Sequence, residues 1–195
     1  MINVCKTLKN RFLDPTDIRL LWIYTAIAFS LHKLAQLWLD SSYAASKFPV
    51  PFYVGQTAFD GQIIKGYYQH LLNEGTLDIY IQTQFIDFAF IVSAYAFLLL
   101  LLASATRLMK PGKLKNLSWV LTFVFSSAPI FDVLENAVSF IMLANPLTFP
   151  DWLAYPYSTF AVTKFGLWGL AYSWAGVAII IAGTQHAIYF MKNKK

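Results

Sequence analysis

The sequence predicts an all-α membrane protein, a bundle of four helices that cross the bilayer. Three observations support this fold class. Hydrophobic residues make up 57% of the 195 residues and charged residues only 13%, whereas a soluble domain has about 25% charged residues. Four windows are long and apolar enough to cross about 30 Å of hydrocarbon. Lys and Arg cluster beside alternate loops, which is typical of multi-pass membrane proteins.

The predicted spans are residues 18–39, 84–106, 117–144 and 164–191, within a single domain that covers residues 1–195. The first span follows Asp14-Pro15-Thr16-Asp17, which combines an N-cap residue with a proline suited to a first helical turn. The helix of the second span is expected to begin as early as Leu77, so that its first turns project beyond the bilayer.

The only long loop, residues 40–83, contains a second kind of helix. Its first part carries Pro49, Pro51 and Gly55 and is predicted to be irregular. Its second part predicts an amphipathic helix over residues 62–73, since apolar residues recur at helical spacing: Ile63, Ile64, Tyr67, Tyr68, Leu71 and Leu72. Such a helix lies flat on the membrane surface or caps the bundle. Gly75-Thr76 is expected to end it and to cap the next helix.

Spans three and four each have a distinctive feature. Pro129 lies inside span three and predicts a kink. Residues 145–163, rich in Pro and aromatic residues, predict an interfacial loop before span four. Span four then carries a stripe of small residues, which favours packing within the bundle or, through Gly169, Ser173 and Gly176, a homodimer or partner seam: Gly166, Gly169, Ser173, Gly176 and Gly183.

The basic residues predict an orientation. The formal net charge is +5, and eleven of the fifteen Lys and Arg residues lie before span one, between spans two and three, and at the C-terminus. This distribution predicts that both termini are cytoplasmic and argues against nucleic-acid binding. The residues are Lys6, Lys9, Arg11, Arg19, Arg107, Lys110, Lys113, Lys115, Lys192, Lys194 and Lys195.

Three polar residues in span three, Asp132, Glu135 and Asn136, indicate where a functional site lies. A carboxylic acid at bilayer depth costs roughly 2.5–3.5 kcal/mol on insertion scales. The polar face of this span cannot contact lipid; it contains Thr122, Ser126, Pro129, Asp132, Asn136 and Ser139, with Glu135 beside it.

The other spans add polar residues at a similar depth. They predict a polar pocket, walled by aromatic residues and open to the outer side, that includes His32 and Gln36 of span one, Gln84 and Asp87 near span two, and Lys164 and Trp168 of span four. Glu135 has two candidate partners for a buried ion pair, Lys164 and His32. The three histidines occupy different depths, so no metal site is expected, and no motif predicts a cofactor.

Two adjacent carboxyls in a dry site would form an acid and a base. We therefore predict that Asp132, Glu135 and His32 are the candidate catalytic groups for a lipid-like or apolar small molecule. The predicted ligand-binding residues are Asn136, Asp87, Gln36, Gln84, Lys164 and Trp168. The residue pattern suits binding with or without a reaction. The alternatives are a structural or assembly subunit whose polar stripe joins helices, and a proton-coupled transporter.

Asp132-Val133-Leu134-Glu135-Asn136 resembles the D-x-x-E-N signature of a family of uncharacterised bacterial four-span membrane proteins. Upstream residues fit the same pattern, except that Thr76 replaces a frequent Arg: Asp60, Gly66-Tyr67, Leu71-Leu72, Gly75, Tyr80 and Asp87. The resemblance covers about residues 60–136 and implies a four-helix bundle in a bacterial inner membrane.

Overall fold

The computed structural model describes the backbone of residues 2–193 and the side chains of residues 5–192. Lys194 and Lys195 of the predicted basic C-terminus lie outside the described residues. The described part of the chain is helical and contains no strand. Its α-helices are α1 (Ile2–Leu8), α2 (Ile18–Ala45), α3 (Phe52–Gln56), α4 (Gly61–Glu74), α5 (Leu77–Leu108), α6 (Lys113–Phe125), α7 (Ala128–Leu143) and α8 (Ala154–Asn193); a π-helix covers Lys9–Leu13 and a 3₁₀ turn covers Asp151–Leu153.

Within residues 2–193, four segments are long and apolar enough to cross a membrane: Ile18–Ala45, Leu77–Leu108, Lys113–Leu143 and Asp151–Lys192. The predicted all-α class, with the four spanning helices of a four-helix bundle, is confirmed. The second span does begin at Leu77. Span three is built from α6 and α7, which are separated at Ser126 and Ser127, and Pro129 lies in the first turn of α7. The kink predicted for this region is therefore a break between two helices.

Two loop predictions need correction. Helix α8 begins at Ala154, ten residues before the predicted start of span four, so the loop is shorter than residues 145–163. Pro156 lies in the first turn of α8, where a missing backbone N–H costs little. In the first loop, the stretch expected to be irregular contains the short helix α3.

The loop helix α4 closely matches the predicted residues 62–73. The Asp60 carboxylate accepts hydrogen bonds from the backbone N–H groups of Gln62 and Ile63, which caps the helix N-terminus. Gly75 ends the helix with φ 68°, a left-handed conformation that favours glycine. The Thr76 hydroxyl makes no hydrogen bond, so the expected side-chain cap of α5 does not form.

The chain divides into two compact units. Unit 1 comprises Met1–Ser30, Tyr95–Ser127 and Leu167–Lys195, and unit 2 comprises Leu31–Ala94 and Ala128–Gly166. In unit 1, the Arg107 guanidinium donates to the backbone carbonyls of Leu13 and Thr16 and so holds the π-helical segment. The same unit contains a buried network of hydroxyls around Ser118, whose Oγ accepts a hydrogen bond from the Trp174 indole N–H at 3.1 Å.

The α8 stripe of small residues is exposed in unit 1. Gly169, Ser173 and Gly176 are all exposed, and a Cβ placed on either glycine would meet no atom within 4 Å. The expectation that these residues pack within the bundle is wrong for the described residues, because all three are exposed and the two glycines adjoin open space.

Unit 2 has a core in which α4 packs on the ends of the spans. Ile64, Tyr68 and Leu71 are buried in one cluster with residues of α5, α7 and α8. The helix therefore caps spans of unit 2, which was one of its two predicted roles. Its start is also attached to the residues before α8: Lys65 Nζ lies 2.6 Å from Asp151 Oδ1.

Candidate functional site

The polar residues of span three form a buried ion-paired site in unit 2. Lys164 of α8 donates a hydrogen bond from Nζ to Asp132 Oδ1 at 2.5 Å and a second, shorter one to Glu135 Oε2. Both carboxylates belong to α7, where a separation of three residues places them on adjacent positions of one face. All three residues are buried, Lys164 with 5% of its surface exposed. One ammonium group therefore joins α8 to two carboxyl groups of α7.

A second polar contact joins α7 to α5. The side-chain amide of Asn136 donates to Asp87 Oδ2 at 2.6 Å, and both residues are buried. Asn136 follows Glu135 directly, so the two contacts are one residue apart on α7. The helix that carries the D-x-x-E-N sequence thus binds polar partners on two other spans, α5 and α8.

The site has more acidic groups than basic ones. Asp87, Asp132 and Glu135 provide three carboxyl groups, and Lys164 is the ammonium group that contacts two of them. Isolated buried charges cost several kcal/mol each. Two of the three potential negative charges are therefore not balanced by Lys164. Bound protons or an additional cation would supply that balance.

Several buried oxygen atoms at the site have no hydrogen-bond partner. They are Glu135 Oε1, Asn136 Oδ1, Ser139 Oγ and Gln84 Oε1. Asp87 of α5 lies opposite Asn136 of α7, and the two helices are antiparallel. Gln84 is one turn before Asp87, and Ser139 is one turn after Asn136, so these two residues lie at the same level of the helix pair. The 4.8 Å separation of the Phe85 and Phe140 ring centroids supports this register. Since each unsatisfied buried group costs about 1–3 kcal/mol, their concentration within two helical turns is unusual.

Three buried tyrosines, Tyr68, Tyr80 and Tyr157, belong to the core cluster of unit 2 that also contains Met142 of α7, two turns beyond Glu135. The negative charge of Glu135 acts on Tyr68 of α4. The hydroxyls of Tyr68 and Ser139 are both buried without a hydrogen-bond partner. Burial raises the pKa of Tyr68, so this hydroxyl is protonated at neutral pH and can donate a hydrogen bond. The sequence pattern included Tyr68 only as an apolar residue of α4, and nothing in the spacing predicted the hydroxyl group's position near Glu135.

The structure brings together five of the nine predicted site residues, Asp132, Glu135, Asn136, Asp87 and Lys164, through direct hydrogen bonds. Gln84 lies one turn from Asp87 on α5. Between the two candidate partners of Glu135, Lys164 makes the ion pair.

The remaining three predicted residues have other surroundings. His32 is buried against the Phe90 ring, with Nδ1 at 3.5 Å from Ser93 Oγ. Gln36 accepts a hydrogen bond from Lys33 at 2.8 Å. Trp168 belongs to unit 1, where its ring centroid lies 5.9 Å from that of Tyr172. Each of these contacts is with a residue other than the carboxylates of the site, and His32 and Trp168 make further interactions besides.

Among the described residues, no three His, Cys, Asp or Glu side chains are placed so that they could hold a metal ion. Comparison with protein-family models, with curated proteins and with solved structures found no match to this chain. The arrangement of the site itself therefore carries the functional argument.

Proposed function

We propose that this chain is an integral membrane protein whose site in unit 2 binds a lipid-like or apolar small molecule in the outer leaflet. The observation that carries the proposal is the buried Lys164–Asp132–Glu135 group with unpartnered oxygens beside it. A purely structural ion pair is expected to have its polar atoms satisfied. Here Glu135 accepts a hydrogen bond through one oxygen while the other has none.

The same group supports acid/base chemistry on a bound molecule. The ammonium group of Lys164 is in hydrogen-bond contact with both carboxylates, and such contact is the first requirement for proton transfer. In this proposal, Asp132 and Glu135 exchange protons with the ligand, whereas Asn136 fixes Asp87. His32 is assigned a supporting role in the wall of α2 and α5.

We place the protein in the inner membrane of a bacterium with both termini in the cytoplasm. The resemblance to the D-x-x-E-N family supports the compartment, and charge supports the orientation. Unit 1 contains eleven Lys and Arg residues and two Asp residues, whereas unit 2 contains four Lys residues and eight Asp and Glu residues. Because basic loops are retained in the cytoplasm, the loop that carries α4 would be on the outer side.

Native mass spectrometry of gently extracted protein tests the binding proposal. We expect a co-purifying lipid or apolar molecule on the native chain and its loss from the Asp132→Asn/Glu135→Gln variant. Asp151→Asn is the matched control, because Asp151 is an exposed carboxylate paired with a lysine. If both variants keep the bound molecule, the site does not bind it.

The double variant leaves Lys164 without an acidic partner on α7. It is therefore compared with Asp132→Asn/Glu135→Gln/Lys164→Met, which removes the charge of the lysine as well. A folded triple variant without bound molecule supports the binding proposal. If every neutralised variant unfolds and the native chain carries no ligand, the polar residues serve to join helices.

A structural or assembly function is the second candidate, favoured by the exposed stripe of α8. Small residues on an exposed face allow another helix to approach closely. We would introduce Gly176→Cys in a Cys5→Ser background, which removes the chain's single cysteine, and measure cross-linking in membranes. A homodimer through this stripe predicts a disulfide-linked dimer, and Val92→Cys, on another exposed surface, is the matched control. Equal cross-linking of both variants would argue against a specific seam.

A further inference from the structure

We propose that the ligand of this site is a protonated amine that donates N–H hydrogen bonds to Glu135, Asn136 and Gln84. This inference rests on the proposed function and specifies the chemical class of the ligand. It uses two independent observations, the excess of carboxyl groups over ammonium groups and the identity of the unpartnered atoms.

The unpartnered atoms of these three side chains are all acceptors. Glu135 Oε1, Asn136 Oδ1 and Gln84 Oε1 are buried and accept no hydrogen bond. Asn136 is oriented by its amide nitrogen, which donates to Asp87, so its oxygen is the atom left over. The hydroxyls of Tyr68 and Ser139 are unpartnered too, and a hydroxyl both donates and accepts. A ligand that satisfies the three acceptors must bring donors, which excludes ethers, esters and anions as the recognised group.

The excess of carboxyl groups at the site indicates which kind of hydrogen-bond donor the ligand carries. A hydroxyl or neutral amide would satisfy oxygens but would leave the carboxyl groups in excess over Lys164. An ammonium group brings up to three N–H donors and one positive charge, and charge-assisted hydrogen bonds are stronger than neutral ones. The aromatic residues Tyr68, Tyr80 and Tyr157 in the core of the same unit are compatible with a cation, because ring faces attract positive charge.

Gln84 adds a neutral hydrogen-bond acceptor to the acidic residues of the site. Its side chain is 7% exposed, and its oxygen is unpartnered. It takes no part in the ion pairs of Lys164. The amide oxygen therefore supplies an acceptor whose removal leaves those ion pairs in place.

The ammonium group could belong to a lipid headgroup or to a free alkylamine. The test uses the full chain in a neutral detergent and measures thermal shift and dissociation constant for three probes with the same alkyl chain: dodecylammonium, dodecyltrimethylammonium and dodecanol. The trimethyl probe retains the charge but has no N–H, and the alcohol has an O–H but no charge. Lysophosphatidylethanolamine and lysophosphatidylcholine make the same comparison for a headgroup.

We expect the probes with N–H and charge to bind roughly tenfold to a hundredfold more tightly than their matched analogues, the effect of hydrogen bonds to charged groups. Gln84→Met should weaken amine binding without loss of folding, whereas Gln69→Met, an exposed glutamine of α4, should not. A preference for the ethanolamine lipid over the choline lipid would identify a headgroup, and a preference confined to dodecylammonium would identify a free amine.

Other results would overturn the inference. If dodecanol binds as tightly as dodecylammonium, the site does not recognise the positive charge. If dodecyltrimethylammonium binds as tightly as dodecylammonium, N–H donation is not required. Either result leaves the proposed function in place when native mass spectrometry shows a bound neutral lipid. If no probe binds and no molecule co-purifies, the proposed function fails as well, and the unpartnered oxygens are satisfied by internal water only.

Discussion

Lys164 and Asp132 are 32 positions apart in the chain, yet Nζ of the lysine lies 2.5 Å from Oδ1 of the aspartate in the core of unit 2. Glu135 shares the same ammonium group. This arrangement makes Lys164 the residue on which the charge state of the site depends.

Lys164→Met should strongly destabilise the protein. The methionine fills similar volume but leaves Asp132 and Glu135 buried without a cation, and removal of one partner of a buried ion pair typically costs about 3–5 kcal/mol. The free energy of unfolding in detergent micelles measures the effect. Lys65→Met is the matched control, since the Asp151 side chain of that pair is more than half exposed and such pairs contribute about 0–1 kcal/mol. Equal losses in the two variants would mean that Lys164 is not buried with its partners.

Gly61→Ala should destabilise unit 2. A Cβ at this position would lie 2.6 Å from the Cα of Asp151, and since that atom is backbone, one of the two segments must move. Overpacking of this kind costs about 1–3 kcal/mol. Gly66→Ala, in the same helix, should instead be neutral or stabilising by about 0.5–1 kcal/mol, because its Cβ would meet nothing within 4 Å. Thermal unfolding of both variants checks the prediction, and similar melting temperatures would contradict the close approach.

Asp60→Ala should loosen the start of α4. The Asp60 carboxylate accepts from the backbone N–H of Gln62 at 2.7 Å and from that of Ile63 at 3.3 Å, and loss of an N-cap costs about 0.5–2 kcal/mol. Hydrogen exchange should become faster at the first turn of α4 and stay unchanged at its Gly75 end. Asp60→Ser keeps an oxygen acceptor and should restore most of the protection; a serine variant that behaves like alanine would argue against capping.

The exposed pair of Glu74 and Lys47 should give a small, salt-sensitive pH dependence. The hydrogen bond from Lys47, 2.9 Å long, lowers the pKa of Glu74. A carboxyl whose pKa is lower in the folded chain stabilises it above the ordinary pKa, about 4.3, and that contribution disappears as the pH falls through the folded value. NMR titration should show a pKa of Glu74 below its usual value, restored in Lys47→Met. An unchanged pKa in that variant would show that the pair does not form.

The sequence predicted the four spans and α4 because the length of an apolar segment and the spacing of its apolar residues are local properties. They can be recognised without knowledge of tertiary contacts. It did not predict the early start of α8. A stretch with Pro156 and several aromatic residues is typical of an interfacial loop, and only the structure shows that this proline lies in the first helical turn, where it is tolerated. A kink was predicted at Pro129, whereas the structure interrupts the helix just before it, at Ser126 and Ser127, so that Pro129 falls in the first turn of α7.

For the site, helical spacing was sufficient to place Asp132, Glu135 and Asn136 on a buried face of α7. The choice of Lys164 over His32 as the partner of Glu135 could not be made, because it depends on how α8 is rotated against α7. Tyr68 and Tyr157 were missed for a related reason: aromatic rings suit an apolar helix face or an interfacial loop, and only tertiary structure shows which way a hydroxyl points.

The attachment of α4 to the residues around the start of α8 has a consequence for synthesis of the chain. The backbone N–H of Phe59 binds the Ser158 hydroxyl, 99 residues later, and Lys65 binds Asp151, 86 residues later. At about 5–20 residues per second, a ribosome needs roughly 5–20 seconds to cover that interval. During this time the apolar side of the loop helix can pack against Tyr80 of α5 but lacks its partners around the start of α8, so the membrane surface or an insertion factor would shelter the rest of it until the last span emerges.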